Sequence, residues 1–157
     1  MIVKKIGDWA KAMRVTNPGN MARALKKVGD GVLSDMADVM ARNLEDAILS
    51  GAAEGPALAA GTVARKGSGT KLVETGLLAS LVEVRRHGSC DYTAGLHPDR
   101  GHRKLNVATL MAYQEKGTST IPPRPVVAPT VRETEPELQR IGTDSKIGVL
   151  IWWELGG

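Results

Sequence analysis

The chain has 157 residues, with 21 Lys and Arg against 17 Asp and Glu, a formal net charge of +4. That length suits one domain, and so small a charge does not by itself demand a nucleic-acid partner. No apolar run is long enough to span a bilayer, and a single cysteine, Cys90, cannot close an internal disulfide, which points away from membrane proteins and disulfide scaffolds.

Aromatic side chains are scarce: three Trp, two Tyr and no Phe. Eighteen Gly and eight Pro punctuate the rest. The core these residues can build is aliphatic and thin, of the kind a neighbouring subunit completes.

In chain order, residues 1–16 read as a basic N-terminal arm, with Lys4, Lys5, Lys11 and Arg14 against Asp8. Ile2, Ile6, Trp9 and Met13 recur there at helical spacing, and the first residues lack the pattern of a secretory signal. Asn17-Pro18 is a helix start, since Asn caps and Pro suits the first turn. Met21, Leu25, Val28, Val32, Met36, Val39, Met40, Leu44 and Ile48 then mark one face of a long helix over 17–50, ended by Gly51. The Met residues are expected in the core. Asp38, Arg42 and Asp46 are spaced to pair on the exposed face, and Gly29 and Gly31 weaken the first half. Such a helix is too long to bury its whole face on a small sheet, which leaves part of it for a partner.

Residues 51–76 are rich in small residues and read as an extended loop. Gly61–Ser68 is not a phosphate loop, because the Lys precedes the second Gly. Leu81–His87 alternates apolar and polar, Gly88-Ser89 turns, and Asp91–Leu96 returns, predicting an antiparallel hairpin. Pro98–Gly101 is a turn, and Val107, Leu110, Met111 and Gln114 fit a short helix ended by Gly117. Ile121–Pro125 is a stiff extended loop, and Pro136 is expected to restrict residues 129–141 to short helical pieces. Lys146–Glu154 has the β-branched and aromatic content of a strand. The expected fold is thus α+β in a single domain over 1–157, a long N-terminal amphipathic helix on a small antiparallel sheet with long loops and terminal arms. Residues 77–133 hold the hairpin, short helix and Pro-rich loop, and 134–157 form the C-terminal segment.

The chemistry of a catalytic centre is sparse. His87, Cys90, His97 and His102 lie close in sequence but match no zinc-finger spacing, and a structural or exposed role is expected for them rather than a metal site. No paired-carboxylate, nucleophile-elbow or zincin pattern occurs, so neither catalysis nor a cofactor is expected. Arg85, Arg86, Arg100, His102, Arg103 and Lys104 form a basic cluster, of which Arg85, Arg86, Arg103 and Lys104 are the candidates to face DNA phosphates. No aromatics interleave with them for base stacking.

Three segments carry a resemblance. They are Leu58-x3-Thr62-x2-Arg65-Lys66-Gly67-Ser68-x2-Lys71-Leu72-Val73-Glu74-Thr75-Gly76-x-Leu78, then Tyr113-Gln-Glu115-Lys-Gly117-Thr118, then Ile121-Pro-Pro-Arg124-Pro-Val-Val-x-Pro129. In order and spacing they resemble a family of small tailed-bacteriophage morphogenesis proteins, the tail-completion, neck and tail-terminator proteins. The likeness covers roughly residues 20–132. The chain departs from the family pattern at Lys71 (usually Pro), Glu74 (Asp), Lys116 (an aromatic), Pro123 (Ala) and Val126 (Phe).

The resemblance implies a structural virion protein that forms a ring, typically a hexamer, at the head–tail junction, assembled in the host bacterial cytoplasm. Its partners would be copies of itself and neighbouring neck, connector, tail-tube or sheath proteins, with packaged DNA passing through the lumen and no membrane. The alternatives are a tail-terminator ring capping the tube and, in a different class, a small basic DNA-binding protein. Candidate subunit-interface residues are Trp9, Arg65, Lys66, Leu72, Glu115, Arg124, Trp152 and Trp153. Arg124, held between prolines, is the candidate for a carboxylate contact, either within the subunit or across subunits.

Overall fold

A computed structural model describes residues 17–67, 69–72, 76–99, 101–102 and 105–143. The N-terminal arm with Trp9, the C-terminal strand candidate with Trp152 and Trp153, and Arg100, Arg103 and Lys104 lie outside the described residues. The fold is α+β, as the hydropathy pattern predicts.

Helix α1 runs unbroken from Pro18 to Ser50. The Asn17 side chain accepts the backbone N–H groups of Gly19 and Asn20, and Gly51 ends the helix in a left-handed conformation. Gly29 and Gly31 do not break it, because tertiary contacts along its length outweigh their low propensity. Arg42 reaches back to the carbonyl of Asp38 (3.4 Å) rather than to its carboxylate. The predicted stripe is buried in its second half, where Val39, Leu44 and Ile48 are covered. Its start is open: Met21 is 43% and Leu25 51% exposed, so Met21 is not the core residue its spacing predicts.

The hairpin comprises β1 (Val82–Gly88) and β2 (Asp91–Leu96), antiparallel, with Val82 opposite Leu96 and Val84 opposite Ala94. The turn falls on Ser89 and Cys90, one residue later than predicted, with Cys90 at φ +59°. Asp30 of α1 makes that turn tolerable: one carboxylate oxygen accepts the Cys90 N–H (2.7 Å) and the other an Arg86 N–H (2.7 Å). The Cys90 hydrogen bond, followed by the charge of Arg86, holds the Asp30 carboxyl below its usual range. Val82 and Leu96 pack on the core formed by Leu44, Ile48, Ala53, Ala79, Met111 and Val126.

Two-residue strands β3 (Gly101–His102) and β4 (Leu105–Asn106) form a second, unpredicted pairing before the helix Val107–Lys116, which is α3, the shorter helix Ala60–Lys66 being α2. Residues 51–76 are not a plain loop. They contain α2 (Ala60–Lys66), followed further on by a 3₁₀ turn over Ala79–Leu81. The segment is tied to its own chain: the Lys71 ammonium donates to the carbonyls of Ala53 (2.8 Å) and Gly55 (2.7 Å).

Helix α4 (Val127–Thr143) overturns the expectation that Pro136 fragments this region. Pro136 and Arg132, whose carbonyl loses its helical partner, are both exposed, so water can satisfy that carbonyl. The opposite side, through Thr130 and Thr134, is buried, and Thr134 accepts a hydrogen bond from Asn43 of α1 (3.1 Å). Packing along that face offsets the missing backbone bond. Among the described residues no helix is long and apolar enough to cross a membrane.

Candidate functional site: a basic-rimmed apolar cleft

The Pro-rich loop 121–126 is the keystone of the site. Three prolines leave it only three backbone N–H donors, and all are used. Ile121 N–H donates to Thr118 Oγ1 (3.1 Å), Arg124 N–H to the Gln114 carbonyl (2.7 Å), and Val126 N–H to Glu115 Oε2 (2.9 Å). Returning bonds close the loop on its surroundings: Thr118 N–H to the Ile121 carbonyl (2.8 Å) and Glu54 N–H to the Pro125 carbonyl (2.9 Å).

Glu115 does more than hold one donor. Its carboxylate also accepts Val127 N–H (3.1 Å) and Ala128 N–H (2.9 Å). The next residue, Pro129, has no N–H to offer. A carboxylate on α3 therefore satisfies the free donors at the start of α4, where the helix dipole also favours negative charge. Glu115, expected at a subunit interface, has its carboxylate engaged inside the chain.

Close backbone approach fixes the loop's position. A Cβ on Gly117 (φ +74°) would meet the Ile121 carbonyl oxygen at 2.8 Å, and one on Gly55 (φ +90°) would meet the Pro123 carbonyl oxygen at 2.4 Å. Both positions require glycine for conformation and for space.

Beside this loop lies a cleft of about 470 Å³. Leu58, Thr62, Arg65, Lys66, Leu72, Gly76 and Leu78 line it from the first resembling segment, Gln114 from the second, and Ile121 and Arg124 from the third. Leu77, Leu81, Val107 and Leu110 complete the wall. The floor is aliphatic, and among the described residues every charged group of the lining is a cation: Arg65, Lys66 and Arg124. Lys66 is steered by the Thr70 carbonyl (3.0 Å), and Arg124 Nε stands 3.5 Å from the Pro56 carbonyl. Leu72 enters the cleft from a left-handed backbone position (φ 60°), which costs of order 1 kcal/mol and is sustained by packing on the core.

The basic cluster of the hairpin is arranged differently. Arg85 pairs with Glu83 and with Asp99 (2.7 Å), whereas Arg86 pairs with Asp30 (2.7 Å). Consecutive strand residues face opposite sides of the sheet, so the two guanidinium groups do not form one patch. Arg86 also lies over the Tyr92 ring, 5.9 Å from its centre. His87, His97 and Cys90 disperse as well, and the His102 side chain lies outside what is described. His87 meets Thr93, buried His97 approaches the Glu83 carbonyl (3.3 Å), and Cys90 Sγ lies 3.5 Å from the Lys26 carbonyl. Among the described residues no three His, Cys, Asp or Glu side chains gather as metal ligands.

Sequence reading singles out Arg65, Lys66, Leu72 and Arg124, and the fold brings these four to one cleft. It does not anticipate Leu77, Leu81 or Leu110 in the wall, or Lys71 as the tie of the 51–76 segment. Lys71 stands where the resembling family has proline, and that departure was the available signal. Comparison of the chain with protein-family models, with curated proteins and with solved structures gives no match.

Proposed function

We propose that the chain is a structural virion protein of a tailed bacteriophage, a ring-forming subunit of the neck or tail-completion assembly at the head–tail junction, with no catalytic role. One observation carries this reading. The first of the three segments that resemble the morphogenesis family lies more than thirty residues before the other two, which are nearly adjacent, yet all three meet around one cleft and its Pro-rich rim. An open aliphatic floor with a cationic rim suits a protein contact better than it suits catalysis, since an interface needs apolar area and oriented charge. Rings use head-to-tail contacts that close by rotation, and each subunit then needs a receiving surface; the cleft supplies one.

DNA binding through the hairpin is the weaker reading, because Arg85 and Arg86 already have carboxylate partners within the chain. The test is the size of the full chain in solution and on particles. Light scattering and electron microscopy are expected to show a closed ring, free or attached to the tail-proximal vertex of the head. A chain that is monomeric in solution and absent from purified particles overturns the proposal. Salt-dependent DNA affinity without ring formation would favour the DNA-binding reading instead.

A further inference from the structure

We infer that the cleft receives the segment Ile147–Leu155 from a second copy of this chain, with Trp152 and Trp153 on the leucine floor and Glu154 at the cationic rim. This inference rests on the ring-subunit reading and names the partner of its receiving surface. Charge selects the occupant. Among the described residues, the charged groups of the cleft lining are Arg65, Lys66 and Arg124, so an apolar segment carrying a carboxylate fits it. Both terminal segments are apolar and contain tryptophan. The N-terminal one is basic, with Lys4, Lys5, Lys11 and Arg14 against Asp8, and is repelled. In residues 147–157 the sole charged side chain is Glu154, preceded by two Trp, the residue type richest in interface anchoring energy.

Geometry selects the copy. Helix α4 starts beside the cleft, next to Arg124, and its 17 residues carry the chain about 25 Å away by Thr143. To fill its own cleft, the segment would have to double back along the whole helix. A neighbour's cleft needs no reversal, and a cleft at one end with the chain leaving the last described residue, Thr143, at the other is the head-to-tail arrangement a ring requires.

The test uses two full-length, differently tagged chains, both carrying Cys90→Ser. One also carries Leu77→Cys on the cleft wall and the other Leu155→Cys, and they are mixed and oxidised. The expected product is a disulfide joining one tag to the other. Its yield should fall by at least about tenfold when Arg65 and Arg124 are changed to Glu, and recover when Glu154→Arg is added to the donor. Failure of the two tags to join overturns the inference, and so does a disulfide that forms only within the chain when a third variant carries both Leu77→Cys and Leu155→Cys. Rings that form without this cross-link leave the ring reading standing and remove the docking; a cross-link without rings on particles does the reverse.

Discussion

Replacing Glu115 with Gln preserves the length of the side chain and removes one of its two acceptor oxygens together with its charge. In the folded protein that carboxylate accepts three backbone N–H groups, from Val126, Val127 and Ala128, at 2.9–3.1 Å. Hydrogen bonds to a charged group contribute about 1.5–3 kcal/mol each, and the amide turns a donor toward at least one of these N–H groups. The helix dipole adds about 0.3–1 kcal/mol for the charge lost at the start of α4. Glu115→Gln should therefore destabilise the chain by about 2–3 kcal/mol, and Glu115→Ala, which strands all three donors, by about 3–5 kcal/mol. For a domain of this size each kcal/mol is worth roughly 2–4 °C, so the Gln variant should melt about 5–10 °C lower. Denaturant and thermal unfolding followed by circular dichroism measure both values. A Glu115→Ala variant within about 0.5 kcal/mol of the parent would refute the reasoning, since surface substitutions without a structural role fall in that range.

Asp30 should give acid sensitivity. Its carboxyl titrates below the ordinary range in the folded state, chiefly through the Cys90 N–H, so its stabilisation is present above the unfolded pKa and is lost as pH falls through the folded one. Between pH 6 and 3 the parent should lose stability more steeply than Asp30→Asn, and equal slopes would contradict this. Gly31 and Gly117 should respond to alanine with opposite signs. Gly31 lies inside α1 with nothing within 4 Å of a new Cβ, and Ala should stabilise by about 0.5–1 kcal/mol, whereas Ala at Gly117 clashes with the loop backbone and should destabilise by more than that. Pro136→Ala should stabilise by about 1–2 kcal/mol by restoring a backbone bond to the Arg132 carbonyl, less than the full helix-interior proline cost because the unfolded chain gains freedom. No change there would mean α4 is not continuous through residue 136.

What could be read from the residues depended on how local the cause was. The cap at Asn17, the stop at Gly51, the hairpin alternation and the end of α3 at Gly117 are set by neighbours in sequence, and their positions were legible. Helix α4 was not, because the cost of Pro136 is local and its compensation, the face through Thr130 and Thr134 packed on α1, is not. The small helix Ala60–Lys66 was missed for a related reason: its short apolar pattern becomes a helix against the cleft wall, and nothing in its composition requires one. The part Glu115 plays could not be foreseen, since its three partners lie across a turn of prolines. The departures from the resembling family are partly explained by contacts. Lys71 donates to two carbonyls where proline could donate none, and Val126, in place of an aromatic, is 1% exposed in the core.

The central claim is a joining role at the head–tail junction. It is tested most directly by imaging particles assembled without this protein, in a phage that encodes it. DNA-filled heads and finished tails that fail to join are the predicted result, rescued by supplying the parent chain. Overlong tails would place the protein at the tail terminus instead. Normal infectious particles would contradict the account.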